Sequence, residues 1–206
     1  PEEGDFILEA FTYDVNPASG ECRLMRNGRV LRGGVAIPVH VEKTYRLAPG
    51  KGAFDVHYRL STPHEEPLPV DFAVENNLTF QAGHAEDRYV LIDNRRPENA
   101  FLDSFGVYSS ARAAMLVDEY RSISAGIAVD REAEIWQLPI FTVSLSEGGF
   151  ERVYQGTTIV HRFALTLTAQ PVELRFTVTA GDLSATVKQA GLTAAGSSAT
   201  GHRADI

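Results

Sequence analysis

The chain has 206 residues, of which 44% are hydrophobic, and this is enough apolar material for one large domain with a substantial core. The formal net charge is −8, so the clustered cations that bind phosphates are missing and no nucleic-acid partner is expected. No apolar run reaches the length of about 18 residues that a membrane helix needs, so no membrane partner is expected. Cys22 is the single cysteine, which excludes an internal disulfide and fits a reducing, cytoplasmic location.

The N-terminal segment Pro1–Asp5 is acidic, whereas a signal peptide begins with basic residues and continues with an apolar stretch. It also lacks an initiator Met. We therefore expect the sequence to be part of a longer protein.

Alternating apolar and polar residues predict strands along most of the chain. Turn signals at Asn16–Gly20 and Asn27-Gly28 predict a hairpin near the start. A long strand is predicted over Val35–Leu47 and a regular one over Phe54–Leu60. Because Pro38 has no N–H to donate, its part of the strand is expected at a sheet edge or a bulge.

The alternation resumes over Val70–Phe80, where Asn76 occupies a position on the apolar side. The interval 83–114 has the least regular pattern, and we predict that it is mostly loop. Two short strands are predicted at 115–117 and 123–129.

A long hairpin is predicted between Trp136 and His161. Apolar residues alternate over Phe141–Leu145, as in a half-buried strand, and the glycines of Glu147-Gly148-Gly149 permit a tight reversal. A new alternating run begins at Val153.

The last predicted strand is the amphipathic run Val172–Thr179. Residues 181–206 are rich in Ala, Gly, Ser and Thr, and a flexible tail is expected there because little apolar surface can be buried. The prediction is an all-β domain over 1–180, built as a large antiparallel two-sheet β-sandwich.

The hairpin carries a family resemblance. The pattern WxxPIxTVSxSExGFExxYQG over Trp136–Gly156 is similar to a segment in the C-terminal β-sandwich domain of glycoside hydrolase family 57, the family of 4-α-glucanotransferases and related α-amylases. Weaker agreement extends over Phe6–Thr179 and includes VEKTY at Val41–Tyr45 and FxxENNL at Phe72–Leu78. The resemblance implies a galactose mutarotase-like supersandwich, a preceding catalytic barrel domain as partner in the same polypeptide, and an α-glucan substrate for the whole enzyme.

Aromatic rings stack on the apolar faces of sugars, and amides and carboxylates bind sugar hydroxyls. On this basis the candidate carbohydrate-binding residues are Trp136, Tyr154, Gln155, Glu147, Glu151, Glu75, Asn77 and His57. The alternative is that Trp136 and Tyr154 pack between the sheets or against the barrel domain, and that the two hairpin glutamates cap its tip. Residues that face the barrel are expected to form an apolar patch on the chain alone.

A free-standing carbohydrate-binding module and a mutarotase-like aldose epimerase are the competing functions. Mutarotases of similar fold use a Glu as base and a His as acid, and Glu75 with His57 is a possible pair, although both also fit ordinary strand-surface positions. His161 falls on the apolar side of its strand and is expected to be a hydrogen-bonded core residue. No motif for glycoside hydrolysis, calcium or phosphate binding is recognised, so we predict a non-catalytic domain without metal or cofactor.

Overall fold

The computed structural model describes residues 2–47, 49–146 and 149–184, and ten strands are found in these ranges. Every strand pair is antiparallel. The strands are β1 Thr12–Asn16, β2 Glu21–Arg32, β3 Val35–Leu47, β4 Ala53–Ser61, β5 Leu68–Leu78, β6 Arg88–Ile92, β7 Gly106–Asp118, β8 Ile123–Ser146, β9 Gly149–Leu167 and β10 Val172–Asp182.

The strands form two layers that share β8. The larger layer has the order β1-β2-β3-β4-β10-β8-β7-β6, and β5 with β9 forms a ribbon that joins the second half of β8. Residues 123–129 of β8 pair with β10, whereas residues 134–146 pair with β9. One backbone therefore passes from the larger layer into the smaller one.

The two layers pack face to face, which confirms the predicted sandwich. Their inner faces, meaning the faces turned toward the opposite layer, supply one core. Aromatic rings meet across the interface, with ring centroids 5.5 Å apart for Tyr58 and Phe72 and 5.9 Å apart for Phe163 and Phe176. Such edge-to-face pairs stabilise a core beyond the area that they bury.

The predicted turn at Asn27-Gly28 is wrong. Strand β2 continues through both residues and reverses at Gly33-Gly34, where both glycines have positive φ. Phe6 of the N-terminal segment packs on Gly28, and a Cβ there would lie 2.7 Å from the ring. The glycine is therefore required by a close tertiary contact and not by a turn.

The interval 83–114, predicted to be mostly loop, contains two strands that the prediction missed. Residues 88–92 form β6 and residues 106–114 belong to β7, whereas residues 83–87 and 93–105 lie outside the strands. The register of β7 against β8 shifts between Tyr108 and Ala111, and Ser110 has a φ of 54°. This bulge interrupts the period of two from which strands are recognised.

Strand β8 joins two predicted elements, because the strand expected at 123–129 continues into the hairpin. Beyond Pro139 the β8–β9 hairpin extends past the last paired residues of β7 and β5, and Val143 and Leu145 are exposed. The expected half-buried strand is wrong there, since both side chains remain exposed in the described part of the chain.

Within the described ranges no helix has the length and apolar character that crossing a membrane requires. Strand β10 ends at Asp182, and the predicted tail from residue 185 onward lies outside the described residues.

Candidate functional site

Three predicted site residues lie on the outer face of the smaller layer. Trp136 of β8 and Glu75 of β5 both stand opposite Val160 of β9, so they share one row across three strands. Asn77 follows two residues later on the same face of β5. The alternating pattern of each strand and the antiparallel register bring these residues together.

The Trp136 indole is held in place by charged neighbours. Its Nε1–H donates a hydrogen bond of 2.8 Å to Oε1 of Glu134. Arg162 donates to the same oxygen at 2.9 Å, and its guanidinium carbon lies 5.8 Å from the centroid of the indole ring. The ring orientation is therefore fixed by a carboxylate and a cation together.

Arg162 also binds Asp71 of β5 at 2.9 Å, so one guanidinium joins two carboxylates on the outer face. The hydrogen bond from Arg162, followed by the one from the indole, lowers the pKa of Glu134. Hydrogen bonds to Glu134 and Asp71 raise the pKa of Arg162. At neutral pH Glu134 is therefore an acceptor with no proton to give.

A second set of side-chain hydrogen bonds lies on the same outer face as the indole. The Asn77 amide donates to Glu75 Oε1 at 2.9 Å, and the hydroxyl of Thr158 donates to Asn77 Oδ1 at 2.5 Å. These bonds fix the amide orientation and leave acceptor positions on the exposed Glu75 carboxylate.

The surface beside Trp136 is apolar and ends in a groove. Val107 of β7 stands opposite Trp136 and is 66% exposed. A groove of about 350 Å³ lies further along β7 and β8, lined among others by Ser109, Ser110 and Glu134. The face therefore combines an aromatic ring, an aliphatic neighbour, fixed carboxylates and a concave border, which are the parts of a sugar-contacting surface.

Tyr154 does not join this face. A bulge between Ile140 and Phe141 shifts the register, so Tyr154 points to the inner side of the hairpin. Its hydroxyl lies 2.6 Å from Thr157 Oγ1, and its ring packs on Gly83, where a Cβ would lie 2.6 Å from Cγ. Tyr154 therefore packs inside the sandwich, which is the alternative to sugar binding that the sequence analysis gives. Burial raises the pKa of its hydroxyl.

The other hairpin candidates lie away from Trp136. The Gln155 amide donates to Thr142 Oγ1 at 3.1 Å, and Glu151 is exposed opposite Ser144 near the hairpin tip. Glu147 lies outside the described residues.

His57 lies on the outer face of the opposite layer. Its Nε2 is 3.1 Å from Glu173 Oε2 on β10, and Glu173 also forms ion pairs with Arg59 and Arg175. Both Glu75 and His57 point outward from their layers, and the core lies between them. The structure therefore does not form the Glu75–His57 pair that an epimerase reaction would require.

His161 lies in the core, as its strand position predicts, and its exposed fraction is 0%. The expected hydrogen bond is absent, because neither ring nitrogen has a partner within the described part of the chain. Its ring packs edge-on against Phe176 at 5.5 Å, and burial lowers its pKa to about 4.

Glu134 and Arg162 are the site residues that the sequence analysis missed. Glu134 precedes Trp136 by two positions in a strand, so the two side chains share a face. That spacing is a usable signal, whereas Arg162 joins them only through the β8–β9 register. No cluster of three or more His, Cys, Asp or Glu side chains that could bind a metal occurs in the described ranges.

Known proteins with similar sequences are named as alpha-amylases and a 4-alpha-glucanotransferase. The chain is 35% identical over 172 residues to alpha-amylase 1 of Dictyoglomus thermophilum, covering 80% of this chain and 22% of that protein. It is 32% identical over 157 residues to an alpha-amylase of Pyrococcus horikoshii, covering 76% and 20% respectively. The chain thus spans about a fifth of the length of these curated relatives.

Solved structures show the same architecture. The crystal structure of 4-alpha-glucanotransferase from Thermococcus litoralis matches with a TM-score of 0.64 and 27% identity, over 89% of this chain and 24% of that one. A galactose mutarotase-like protein from Lactobacillus casei matches with a TM-score of 0.56 and 12% identity, over 83% and 73%. The second likeness shows the fold alone and confirms the mutarotase-like sandwich.

The sequence profile described as alpha-amylase/4-alpha-glucanotransferase, C-terminal, matches residues 1–178. This range contains all strands from β1 to β9 and most of β10. The chain belongs to the family of alpha-amylase/4-alpha-glucanotransferase C-terminal domains.

Proposed function

We propose that this chain is a non-catalytic accessory domain of an α-glucan-active enzyme of glycoside hydrolase family 57. It packs on a catalytic barrel domain of the same polypeptide and contacts α-1,4-glucan through the outer face around Trp136. The names of the relatives support the substrate class, and the share of their length that this chain covers leaves room for a separate catalytic domain.

The observation that carries the glucan contact is the fixed Trp136 ring. Glu134 already accepts its N–H, so the indole is available to a sugar only through its carbon face and edge. Glucose units present C–H groups on their ring faces and hydroxyls at their rims. The indole can stack on the C–H groups, and the carboxylate of Glu75 can accept hydrogen bonds from the hydroxyls.

The acid–base groups support a non-catalytic role. Glycoside hydrolysis needs one carboxylic acid that holds a proton and one carboxylate. Hydrogen bonds from Arg162 and Trp136 lower the pKa of Glu134, so this carboxylate beside the indole is not kept protonated and lacks the proton of a general acid.

The test is a titration of the purified chain with maltoheptaose, followed by fluorescence of the single tryptophan and by calorimetry. One platform with a few polar contacts predicts a dissociation constant on the order of 1 mM, about −4 kcal/mol. The Trp136→Ala variant should lose the heat of binding. Phe150→Ala is the matched control, because Phe150 is an aromatic residue 82% exposed at the hairpin tip.

Saturable binding that is lost in Trp136→Ala and kept in Phe150→Ala supports the proposal. Equal loss in both variants, or no heat with maltoheptaose at ~10 mM, which is ten times the expected constant, contradicts the glucan contact.

A further inference from the structure

The inner face of the larger layer is left uncovered at one end. The β5–β9 ribbon covers β4 and β10, where Tyr58 meets Phe72 and Phe176 meets Phe163. Farther out, the strand rows continue from the core to a partly exposed surface, which we name the open inner face. Its exposed residues are Tyr13, Val15 and Leu47, and its half-buried residues are Leu24, Lys43 and Tyr45.

Register and exposure together define the open inner face. One row runs Tyr13, Leu24, Lys43, Tyr58 across β1 to β4, so it connects the surface directly with the core. Along β3 the exposed fraction rises from 4% at Val41 to 62% at Leu47, and Tyr13 is 75% exposed. Apolar and aromatic side chains are therefore left in contact with solvent on the face that normally packs.

Lys43 is the charged residue within this surface. Its Nζ lies 4.1 Å from the centroid of the Phe11 ring, and partial burial lowers its pKa. No carboxylate forms an ion pair with it among the residues that the structure describes. A half-buried ammonium group with only an aromatic neighbour is stabilised strongly by an incoming carboxylate, because the added pair replaces lost hydration.

The adjacent part of the same face shows how such a cation is satisfied. Arg26 and Arg32 lie on the same face of β2 as Leu24. They bind the carboxylates of Asp5 and Glu3, respectively, from the N-terminal segment. Phe6 of that segment packs on the backbone at Gly28. An acidic segment with an aromatic anchor therefore docks on this layer within the chain itself.

We propose that the open inner face is the docking surface for the catalytic domain, which inserts an aspartate or glutamate beside Lys43 and covers Tyr13 and Leu47 with apolar side chains. This inference rests on the proposed accessory function, and it adds the surface and the chemistry of the contact. Because the Lys43 ammonium group lies on an apolar face, it favours a partner surface that carries a carboxylate. The ion pair then sets the position in which the partner docks.

The experiment uses a chimera in which this chain replaces the C-terminal region of Dictyoglomus thermophilum alpha-amylase 1, its relative at 35% identity. Lysine acetylation by a soluble ester is quantified by mass spectrometry in the chimera and in the 206-residue chain. Lys51 is the internal control, because it lies in an exposed turn. The ratio of Lys43 to Lys51 acetylation should fall by tenfold or more in the chimera.

The matched variants are Lys43→Glu and Lys51→Glu, which change the net charge equally. Thermal unfolding of the chimera should change from one joint transition to two separate transitions with Lys43→Glu and stay joint with Lys51→Glu. The thiol reactivity of Cys22, which stands between Val15 and Tyr45 in the next row, should rise in parallel with the separation.

Each remaining outcome has a distinct meaning. Joint unfolding with Lys43 acetylated as in the chain alone overturns the docking surface and leaves the accessory function intact. Separate unfolding of the unmodified chimera with both lysines reactive overturns the accessory function as well. Protection of Lys43 in the isolated chain that increases with protein concentration shows a second copy as occupant and overturns the assignment to the catalytic domain.

Discussion

Mild acid should destabilise this domain through the buried His161. Its ring has no exposed surface and is surrounded by apolar side chains, including Phe176 and, across the strand pair, Val74 and Ile135. No charged side chain contacts it in the described structure, and the nearest polar position on β5 is the amide of Asn76. Protonation therefore places an uncompensated cation in the core.

The magnitude follows from the pKa difference. Burial lowers the His161 pKa from 6.5 to about 4, so the folded state binds fewer protons than the unfolded state between these values. The contribution of the neutral imidazole is complete above pH 6.5 and is lost as the pH falls toward 4. At 1.36 kcal/mol per pH unit the loss amounts to about 3 kcal/mol.

The assay is urea unfolding at several pH values between 4.5 and 7.5, comparing the parent chain with His161→Leu. The variant should lose this pH dependence. Its free energy of unfolding at pH 7 should also be higher than that of the parent chain by about 1–2 kcal/mol, because two buried ring nitrogens without partners are removed. His64→Gln is the control, since His64 is exposed. Parallel pH profiles for the parent and His161→Leu would refute the reasoning.

Three further predictions concern fixed contacts. Gly83→Ala should lower the free energy of unfolding by about 1–3 kcal/mol, because the added Cβ overlaps the Tyr154 ring; circular dichroism during thermal unfolding measures it. Asp93→Ala should lower the free energy of unfolding by about 1–3 kcal/mol, because Asp93 Oδ1 accepts hydrogen bonds from two backbone N–H groups of β7 at 3.0 and 2.9 Å. Asp93→Asn keeps an acceptor oxygen, so its free energy of unfolding should fall less in the same assay. Glu134→Ala should weaken maltoheptaose binding by about tenfold, or 1.4 kcal/mol, in calorimetry, because the Trp136 ring loses its orienting acceptor; unchanged affinity would contradict the site.

Strands with one covered face could be predicted from the sequence. The alternation in β4 matches its burial, with Val56, Tyr58 and Leu60 inside and His57 outside. The strand predicted at 115–117 is the buried end of β7, and the sequence analysis misses the part of β7 before it. The bulge near Ser110 interrupts the period of two in that missed part.

The sequence predicts a shared face for site residues only where the period of two within one strand decides which face a side chain is on. Trp136, Glu75 and Asn77 share a face because each follows the period of two of its own strand. Tyr154 would stand on the same face in an unbroken ladder, but the bulge opposite Phe141 turns it inward. The distance between Glu75 and His57 depends on how the layers stack, and no local pattern encodes that arrangement.

The place of β10 sets the order in which a nascent chain can complete the larger layer. Among the described strands it is the last to be synthesised, yet it lies between β4 and β8 and joins residues as distant as Ala53 and Thr179. Until it leaves the ribosome, β4 presents an unpaired edge with a row of free N–H and C=O groups. During that interval this edge can pair with another chain, so aggregation competes with completion of the layer.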